Sequence, residues 1–295
     1  MIPERFKENP AALAATLMVV AILFFTFMDS IARGLAQRID PMQVVWGRYS
    51  FQTLISVIFL APRLRKVLVT RYPGLQLIRS LLLFGATICF FFALSFLPLA
   101  DTTAIFEIAP LLITLMAIFI LGERVGIYRL FAVLLGLMGA LVIIQPGSVS
   151  FTPALLLPVG AATCFAAYAI ATRFLGREES PLTSFLYTAI IGTLLAWCIV
   201  PFYWQPLDIW AVAGLAAMGF FGCIGHYLLI RAFTLGEASF LAPFSYTSLI
   251  FNSLWGFLFY AEVPALSVWI GAAIIVGAGL FVWYRENRSA IRTRG

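Results

Sequence analysis

The stretch ALSFLPLADTTAIFEIAPLLITLMAIFILGE, which covers Ala93–Glu123, has a counterpart in AFTLGEASFLAPFSYTSLIFNSLWGFLFYAE, which covers Ala232–Glu262. Each is a mostly apolar run of membrane-spanning length that begins with alanine and ends with glutamate. When the offset that aligns the two stretches is increased by one residue, Arg33 corresponds to Arg173. We therefore expect the chain to contain two copies of one unit. Chance similarity between apolar helices is the alternative explanation.

The composition indicates a membrane protein. Hydrophobic residues make up 62% of the 295 residues, charged residues make up 11%, and the mean hydropathy is +1.01. A water-soluble domain carries about 25% charged residues, so the outside of this protein must be apolar too. The net charge of +6 comes from basic residues in short connectors and at the two ends, which is not the pattern of a nucleic-acid-binding face. We expect an all-α integral membrane protein whose partners are the lipid bilayer and a small-molecule substrate, with no nucleic acid.

Ten stretches are long and apolar enough to cross a bilayer, which takes about 20 residues. They are Ala11–Leu35, Pro41–Leu60, Gly74–Leu97, Thr102–Leu121, Val125–Ile144, Pro153–Leu175, Pro181–Tyr203, Leu207–Leu235, Ala238–Tyr260 and Pro264–Tyr284. The two units are then residues 11–144 and 153–284, with five spans each. An odd number of crossings turns the second unit upside down relative to the first. We therefore predict ten transmembrane helices arranged as two inverted five-helix repeats.

The basic residues predict the orientation of these spans. With the N-terminus in the cytoplasm, 16 of the 19 basic residues fall on the cytoplasmic side, Arg33 and Arg38 fall on the outer side, and Arg48 lies within a span. Positive residues favour the cytoplasmic side, so we expect a bacterial-type inner (plasma) membrane with both termini cytoplasmic. The same rule explains why a basic residue follows Glu123 but not Glu262.

The two quoted stretches, together with LLGLMGALVIIQPG after the first, resemble the half-repeat signature of the EamA family, within the drug/metabolite transporter superfamily. The resemblance covers nearly the whole chain, although Leu249 stands in the second copy where the first has Pro110. It implies a ten-helix inverted fold with a central cavity that moves small organic metabolites. Members of this family export amino acids and related metabolites, and others import riboflavin or S-adenosylmethionine.

Three charged residues, Asp29, Arg48 and Glu107, lie inside predicted spans at one depth, about 10 Å below the outer boundary at 1.5 Å per residue. A charge at a helix centre costs roughly 2.5–3.5 kcal/mol on insertion scales, so such residues usually face a cavity or a partner. In one interpretation Arg48 binds a substrate carboxylate, and a carboxyl group binds an amine or carries a proton. In the other, Asp29 forms a fixed ion pair with Arg48 or reaches Arg33, and Glu107 bonds to a neighbouring helix.

Uncharged residues occupy the corresponding positions of the second copy. The correspondences are Glu107 with Tyr246, Arg48 with Thr188, and Asp29 with Ala169, which follows Tyr168. We therefore expect an inner half of the cavity that is lined by aromatic and hydroxyl groups. Such a cavity suits a substrate with an apolar or aromatic body and polar ends.

Two further polar residues are weaker candidates for the cavity. His226, the single histidine of the chain, either relays protons, because imidazole titrates near neutral pH, or bonds to an adjacent helix. Asn252 either faces the cavity or makes a hydrogen bond between helices.

Glycine and proline mark positions where helices approach closely or bend. Gly219, Gly222 and Gly225 recur every three residues, which predicts close helix packing or a bend. Pro110 and Pro243 lie inside predicted spans, where proline removes a backbone hydrogen bond and kinks the helix. Each kink is either a hinge for transport or a packing adjustment.

Motifs that the sequence lacks narrow the function. There is no GxxxxGK[ST] loop for nucleotide hydrolysis, and one histidine excludes an HExxH or multi-histidine metal site, so we expect no metal and no cofactor. We predict a secondary transporter, not an enzyme, that moves a small organic metabolite across the inner membrane by alternating access, with protons as a candidate coupling ion. Export of amino acids or related compounds is the first choice, and uptake of a vitamin or cofactor such as riboflavin or S-adenosylmethionine is the alternative. A non-transporting membrane scaffold or an intramembrane enzyme is the remote alternative.

Overall fold

The computed structural model is a bundle of α-helices. It describes residues 10–121, 127–145, 151–175, 179–235, 241 and 244–292, and these residues form no β-strand. The helices are, in chain order, α1 (Pro10–Ala36), α2 (Pro41–Leu60), α3 (Leu64–Val67), α4 (Pro73–Phe96), α5 (Leu99–Phe106), α6 (Ala109–Leu121), α7 (Ile127–Ile144), α8 (Leu156–Leu175), α9 (Pro181–Ile199), α10 (Ile209–Leu235), α11 (Thr247–Tyr260) and α12 (Leu266–Arg292).

Six helical segments are long and apolar enough to cross a membrane, judged by length and composition. They are Ala12–Ala36, Pro41–Val67, Pro73–Phe96, Pro153–Thr172, Pro181–Tyr203 and Ile209–Leu229. Two shorter apolar helical stretches are Leu130–Ile144 and Leu266–Phe281. The chain is therefore a multi-pass membrane protein. These six spans are fewer than the ten transmembrane helices that the sequence predicts.

Local sequence explains where several helices begin. The Asp40 side chain accepts a hydrogen bond of 2.8 Å from the backbone N–H of Met42 and so caps α2. Pro41 follows at the first helical position, where the N–H that proline lacks has no partner within the helix. Pro73 and Pro181 begin α4 and α9 in the same way.

The predicted span Thr102–Leu121 is not one helix. Glu107 and Ile108 form a turn between α5 and α6. Pro110 lies in the first turn of α6, where its missing N–H leaves no hydrogen bond unmade. The predicted kink at Pro110 is therefore a complete break, and it places Glu107 at a helix end.

A similar interruption precedes α11. The sequence predicts one helix over Ala238–Tyr260, but Tyr246 lies in a turn directly before α11. Glu107 and Tyr246, which correspond to each other in the predicted duplication, have similar backbone angles: φ is −67° and ψ is 2° at Glu107, and φ is −64° and ψ is −11° at Tyr246. The predicted kink at Pro243 lies outside the described residues.

Helices that precede residue 145 pack mainly against helices that follow residue 151. α1 packs along α10, α2 contacts α9 and α10, α4 contacts α8 and α9, α7 packs against α12, and α11 contacts α1 and α5. The apolar core therefore lies largely between the two predicted units, and neither unit buries its apolar faces alone.

Glycines of α10 permit three of these contacts to be close. A Cβ atom added at Gly219 would lie 2.4 Å from the Cβ atom of Phe51 on α2, and one added at Gly225 would lie 3.0 Å from the ring of Phe25 on α1. At Gly222 the nearest atom is the sulfur of a methionine on α1, at 3.2 Å. The predicted close packing at these three glycines is confirmed.

We expect Gly219→Ala to destabilise the protein, because the added methyl group meets Phe51 and the backbone of α2 at distances that Cβ atoms do not adopt. Overpacking of this kind costs about 1–3 kcal/mol, which would lower the midpoint of thermal unfolding in detergent. Gly277→Ala on α12 is the matched control, because a Cβ atom there has no neighbour within 4 Å and alanine favours a helix. Equal midpoints for the two variants would contradict the packing.

Candidate functional site

Half-buried side chains on otherwise buried helix faces mark an interior space. Asp29 is half-buried, although Ile22 and Arg33, which lie on the same face of α1, are buried. His226 on α10 is half-buried, whereas Gly222, one turn before it, is buried. Because residues four and seven positions apart share a helix face, the Asp29 and His226 side chains point into the protein.

Helix α8 borders the same interior from another side. Its exposed face carries Leu156 and Thr163, and Phe165 lies about half a turn from Thr163, on the opposite face. Tyr168 and Thr172 share this inner face, and all three inner residues are half-buried. The interior space that α1, α8 and α10 border is the candidate functional site.

Arg48 on α2 is the most unusual residue of this site. It is only 6% exposed, and its guanidinium group lies over two rings, 5.2 Å from the centre of Tyr49 and 5.5 Å from that of Phe91. Its Nη1 donates to Oγ1 of Thr87 at 2.5 Å, the one hydrogen-bond partner it has among the described residues. Its Nε is buried without a partner. A guanidinium group has five N–H donors, so most of its binding capacity is unused.

Asp29 lies close enough to Arg48 for an electrostatic interaction, but the two do not form an ion pair. Oδ2 of Asp29 lies 3.5 Å from Nδ2 of Asn252, and that nitrogen donates a shorter bond, 2.8 Å, to Oγ1 of Thr103. Oδ1 of Asn252 is buried without a partner. Within the described part of the chain, Asp29 has neither Arg48 nor Arg33 within the 4 Å of an ion pair.

Glu107 bonds to a neighbouring helix. The carboxyl group is buried and accepts a hydrogen bond from the hydroxyl of Ser248 on α11. Thr103, one turn earlier on α5, accepts from Asn252, one turn later on α11, so the two helices run antiparallel along this line. Tyr246 lies within electrostatic range of Glu107. The role of Glu107 in carrying protons stays a prediction.

Tyr246 and His226 are held by apolar neighbours. Tyr246 is buried, and its hydroxyl lies where a Cβ atom at Gly279 of α12 would stand. His226 makes its hydrogen bond within its own helix, with Nδ1 3.2 Å from the carbonyl oxygen of Gly222, and not to an adjacent helix. Its ring meets the edge of Phe25, with 5.0 Å between ring centres. Nε2 of His226 has no hydrogen-bond partner among the described residues.

Arg79 belongs to the interior, although the charge pattern groups it with the cytoplasmic residues. It is 3% exposed on α4, and its Nη2 donates to the hydroxyl of Tyr168 at 3.1 Å. Both Arg79 and Arg48 lie within electrostatic range of His226. The sequence contains a usable signal, because Arg79 lies inside the predicted span Gly74–Leu97, where a charge requires an explanation.

The sequence also gives no prediction of an ion pair between Arg33 and Glu262. Nε and Nη2 of Arg33 donate to Oε1 of Glu262 at 2.9 and 2.7 Å, and Nη1 donates to the carbonyl oxygen of Leu94. Oε2 of Glu262 accepts from the backbone N–H of Leu99 at 2.8 Å. The pair therefore joins α1, the end of α4, the start of α5 and the segment after α11, at the predicted outer end of the bundle.

The seven predicted site residues thus fall into three groups. The first group is Asp29, Arg48, His226 and Asn252, the second is Glu107 and Tyr246, and Tyr168 joins Arg79 in the third. Two clefts of about 280 and 180 Å³ contain none of these residues. Among the described residues, no group of three or more histidine, cysteine or acidic side chains is arranged to hold a metal ion.

The sequence and the fold both have known relatives. The model of the EamA-like transporter family matches residues 12–145 and again residues 152–284. An S-adenosylmethionine uptake transporter of Rickettsia prowazekii (strain Madrid E) is 26% identical over 92% of this chain and 92% of its own length. A riboflavin transporter of Rhizobium johnstonii is 30% identical over 96% of this chain and 94% of its own length.

A pseudopaline exporter of Pseudomonas aeruginosa (strain UCBPP-PA14) is 28% identical over 88% of this chain and 92% of its own length. One solved protein structure covers 94% of this chain and 98% of its own, with a TM-score of 0.66 and 20% sequence identity. At this identity the likeness to the solved structure concerns the fold alone.

We expect the Arg33–Glu262 pair to be energetically coupled. Its two side chains are only 11% and 13% exposed, so removing either partner leaves a buried charge uncompensated. In a double-mutant cycle, Arg33→Gln and Glu262→Gln should each lower the midpoint of thermal unfolding in detergent. The free energy of unfolding that the double variant loses should be smaller than the sum of the two single losses. The difference, about 1–3 kcal/mol, is the coupling energy between the two side chains.

Glu179→Gln is the matched control for this cycle, because Glu179 accepts hydrogen bonds from Thr70 and from the Arg71 backbone in a loop, and glutamine keeps an acceptor. Additive losses for Arg33 and Glu262 would show that the contact contributes nothing specific.

Proposed function

The chain belongs to the EamA-like transporter family and is a transporter of small molecules, and we propose that its substrate combines a planar ring with an amino-acid-like end. The observation that carries this proposal is Arg48, a buried guanidinium group with one neutral partner and no carboxylate within 4 Å among the described residues. Arginine binds carboxylates through two parallel hydrogen bonds, and such charge-assisted bonds are strong in an apolar interior.

The carboxylate of Asp29 supplies the opposite charge beside Arg48. It lies within electrostatic range of Arg48 and makes no ion pair of its own with the described residues. A substrate that carries both a carboxylate and an ammonium group would satisfy the two residues together. An amino-acid end has this combination of charges.

Aromatic side chains next to Arg48 suit a planar ring. Its guanidinium group lies over Tyr49 and Phe91, and the half-buried Phe90 lies 6.3 Å from Phe91 and 5.3 Å from Phe106 between ring centres. Aromatic groups offer flat apolar surfaces that favour stacking.

The named relatives favour a cofactor-like substrate over a simple amino acid. S-adenosylmethionine contains a nitrogen heterocycle and an amino-acid end, and riboflavin contains a planar ring system with a hydroxylated chain. We therefore rank uptake of such a cofactor first. Export of an amino acid or related compound, which ranked first from the sequence, becomes the second candidate, and the similarity to an exporter supports it.

The proposed mechanism is alternating access of two inverted five-helix repeats, residues 11–144 and 153–284, in the inner membrane with both termini cytoplasmic. The packing of early helices against late ones and the paired helix breaks at Glu107 and Tyr246 support this arrangement. The Arg33–Glu262 pair would hold the outer end closed and would have to open during each cycle. Glu107 is the candidate carrier of a coupling proton.

We expect Arg48→Gln to abolish stabilisation of the purified protein by its substrate in a thermal-shift screen over S-adenosylmethionine, riboflavin, aromatic amino acids and nucleosides. Arg48→Lys should keep part of the effect, because lysine retains the charge but loses the planar pair of donors. Arg63→Gln is the control, because Arg63 is exposed in the connector before α3. Unchanged stabilisation in Arg48→Gln would remove Arg48 from the binding site.

We expect Glu107→Gln to lower transport in reconstituted vesicles or uncouple it from the proton gradient, while the protein stays folded. Glutamine can still accept the hydrogen bond from Ser248 but cannot release a proton. Glu179→Gln should transport as the parent protein does. Parent-like rates and an unchanged dependence on the gradient in Glu107→Gln would exclude Glu107 from coupling.

A further inference from the structure

Arg79 is a second buried arginine whose charge has no carboxylate partner. Its Nε donates to Thr172 at 2.8 Å, its Nη1 donates to the carbonyl oxygen of Ser184 at 2.8 Å and to Gln76 at 3.2 Å, and its Nη2 donates to Tyr168 at 3.1 Å. All four acceptors are neutral. In the described part of the chain, the one ion pair within 4 Å is Arg33–Glu262.

Neutral acceptors satisfy the hydrogen bonds of Arg79 but do not offset its charge. Four of its five N–H donors are used, and the fifth, which belongs to Nη2 beside the half-buried Tyr168, has no acceptor among the described residues. The guanidinium carbon lies 4.9 Å from the centre of the Tyr168 ring. An uncompensated buried cation is costly, and an anion that approached along Tyr168 would meet a free donor and an unbalanced positive charge.

A row of aromatic rings connects Arg79 with Arg48. From the Arg48 end, the contacts and the distances to or between ring centres are Arg48 to Phe91 at 5.5 Å, Phe91 to Phe90 at 6.3 Å, Phe90 to Phe106 at 5.3 Å, Phe106 to Phe165 at 5.5 Å, Phe165 to Tyr168 at 5.7 Å, and Tyr168 to Arg79 at 4.9 Å. Every ring of the row except Phe91 is half-buried. The row therefore runs along the interior space with a cation at each end.

We propose that Arg79 and Tyr168 form a second anion-binding position, at the far end of this aromatic row from Arg48, and that the ligand is a planar aromatic molecule with a carboxylate group. The inference rests on the proposed function and deepens it. Two positions of like charge let the carboxylate move from one arginine to the other while the ring stays in contact with the row.

Thiol modification tests this position without knowledge of the transported substrate. Phe165→Cys is introduced after the four native cysteines, Cys89, Cys164, Cys198 and Cys223, are replaced by alanine. The rates of reaction with anionic, cationic and neutral methanethiosulfonate reagents are measured in purified protein, and each is normalised to the same reagent with a free thiol in solution. An anion-binding position predicts a normalised anionic rate that exceeds the cationic rate.

We expect Arg79→Gln to lower the ratio of anionic to cationic rates by at least about fivefold, because a unit charge a few ångströms away acts on both reagents in opposite directions. Arg79→Lys should restore most of the ratio, and Arg63→Gln in the exposed connector should leave it unchanged. The neutral reagent reports whether each variant keeps the same accessible thiol. Should Arg79→Gln fail to fold, a ratio below one in the parent would by itself overturn the proposal.

Protection of the same thiol identifies the ligand class. We expect 2-naphthoate to slow the neutral reagent severalfold more than 2-naphthamide does, and this difference should disappear in Arg79→Gln. A thiol that reacts with none of the reagents, or equal protection by the acid and the amide, would contradict the proposal. None of these measurements involves transport, so a failure here is distinct from a failure of the proposed transport function.

Discussion

The ion pair between Arg33 and Glu262 fixes the arrangement on which the interior depends. Because Oε2 of Glu262 accepts the backbone N–H of Leu99, it satisfies a donor that the start of α5 would otherwise leave unpaired. Leu99, Thr103 and Glu107 follow one face of α5 at intervals of one turn, and the last two bond to Asn252 and Ser248 on α11. A buried pair contributes little net stability, since desolvation offsets most of the attraction. Its larger effect is to set the register of α5 against α11, which places Glu107 opposite Ser248.

Arg48 and Arg79 have neutral hydrogen-bond acceptors but no carboxylate within ion-pair distance among the described residues. Among the described residues Arg79 has four neutral acceptors, and Arg48 has one, with two aromatic rings beside its guanidinium group. A protein whose only requirement was stability would place a carboxylate against each guanidinium group or replace it with an apolar side chain, because unpaired buried charges are expensive. The positive charge kept at both ends of the aromatic row has a physical reason if an anion from outside the chain compensates it. The same unpaired positive charges would then both lower the stability of the fold and bind the anion.

The sequence predicted the helices whose ends have local signals and missed contacts between distant residues. Apolar length and helix-starting prolines placed most of α1, α2, α4, α9 and α10 within a few residues. The sequence does not predict the break at Glu107, because an interior proline is equally consistent with a kink, whereas Pro110 occupies the first turn of a new helix. The charge pattern places Arg79 on the cytoplasmic side, because a rule that counts basic residues near span ends cannot tell a buried arginine from an exposed one. The partner of Arg33 lies more than two hundred residues away, and only the folded chain reveals it.

The charges of the site come from one proposed copy and many of their acceptors from the other. Asp29, Arg48, Arg79 and Glu107 lie in the first, whereas Thr172, Tyr168 and Ser184, which bind Arg79, and Ser248, which binds Glu107, lie in the second. The backbone turns at Glu107 and Tyr246 nearly match, but a carboxyl group stands at one and a phenol at the other. The interior field is therefore not symmetric across the two copies, and a substrate with a charged end has one favoured orientation. In the proposed alternating-access mechanism the carrier would not need to turn its substrate over, because relative movement of the two proposed copies would change which side of the membrane the fixed charges face.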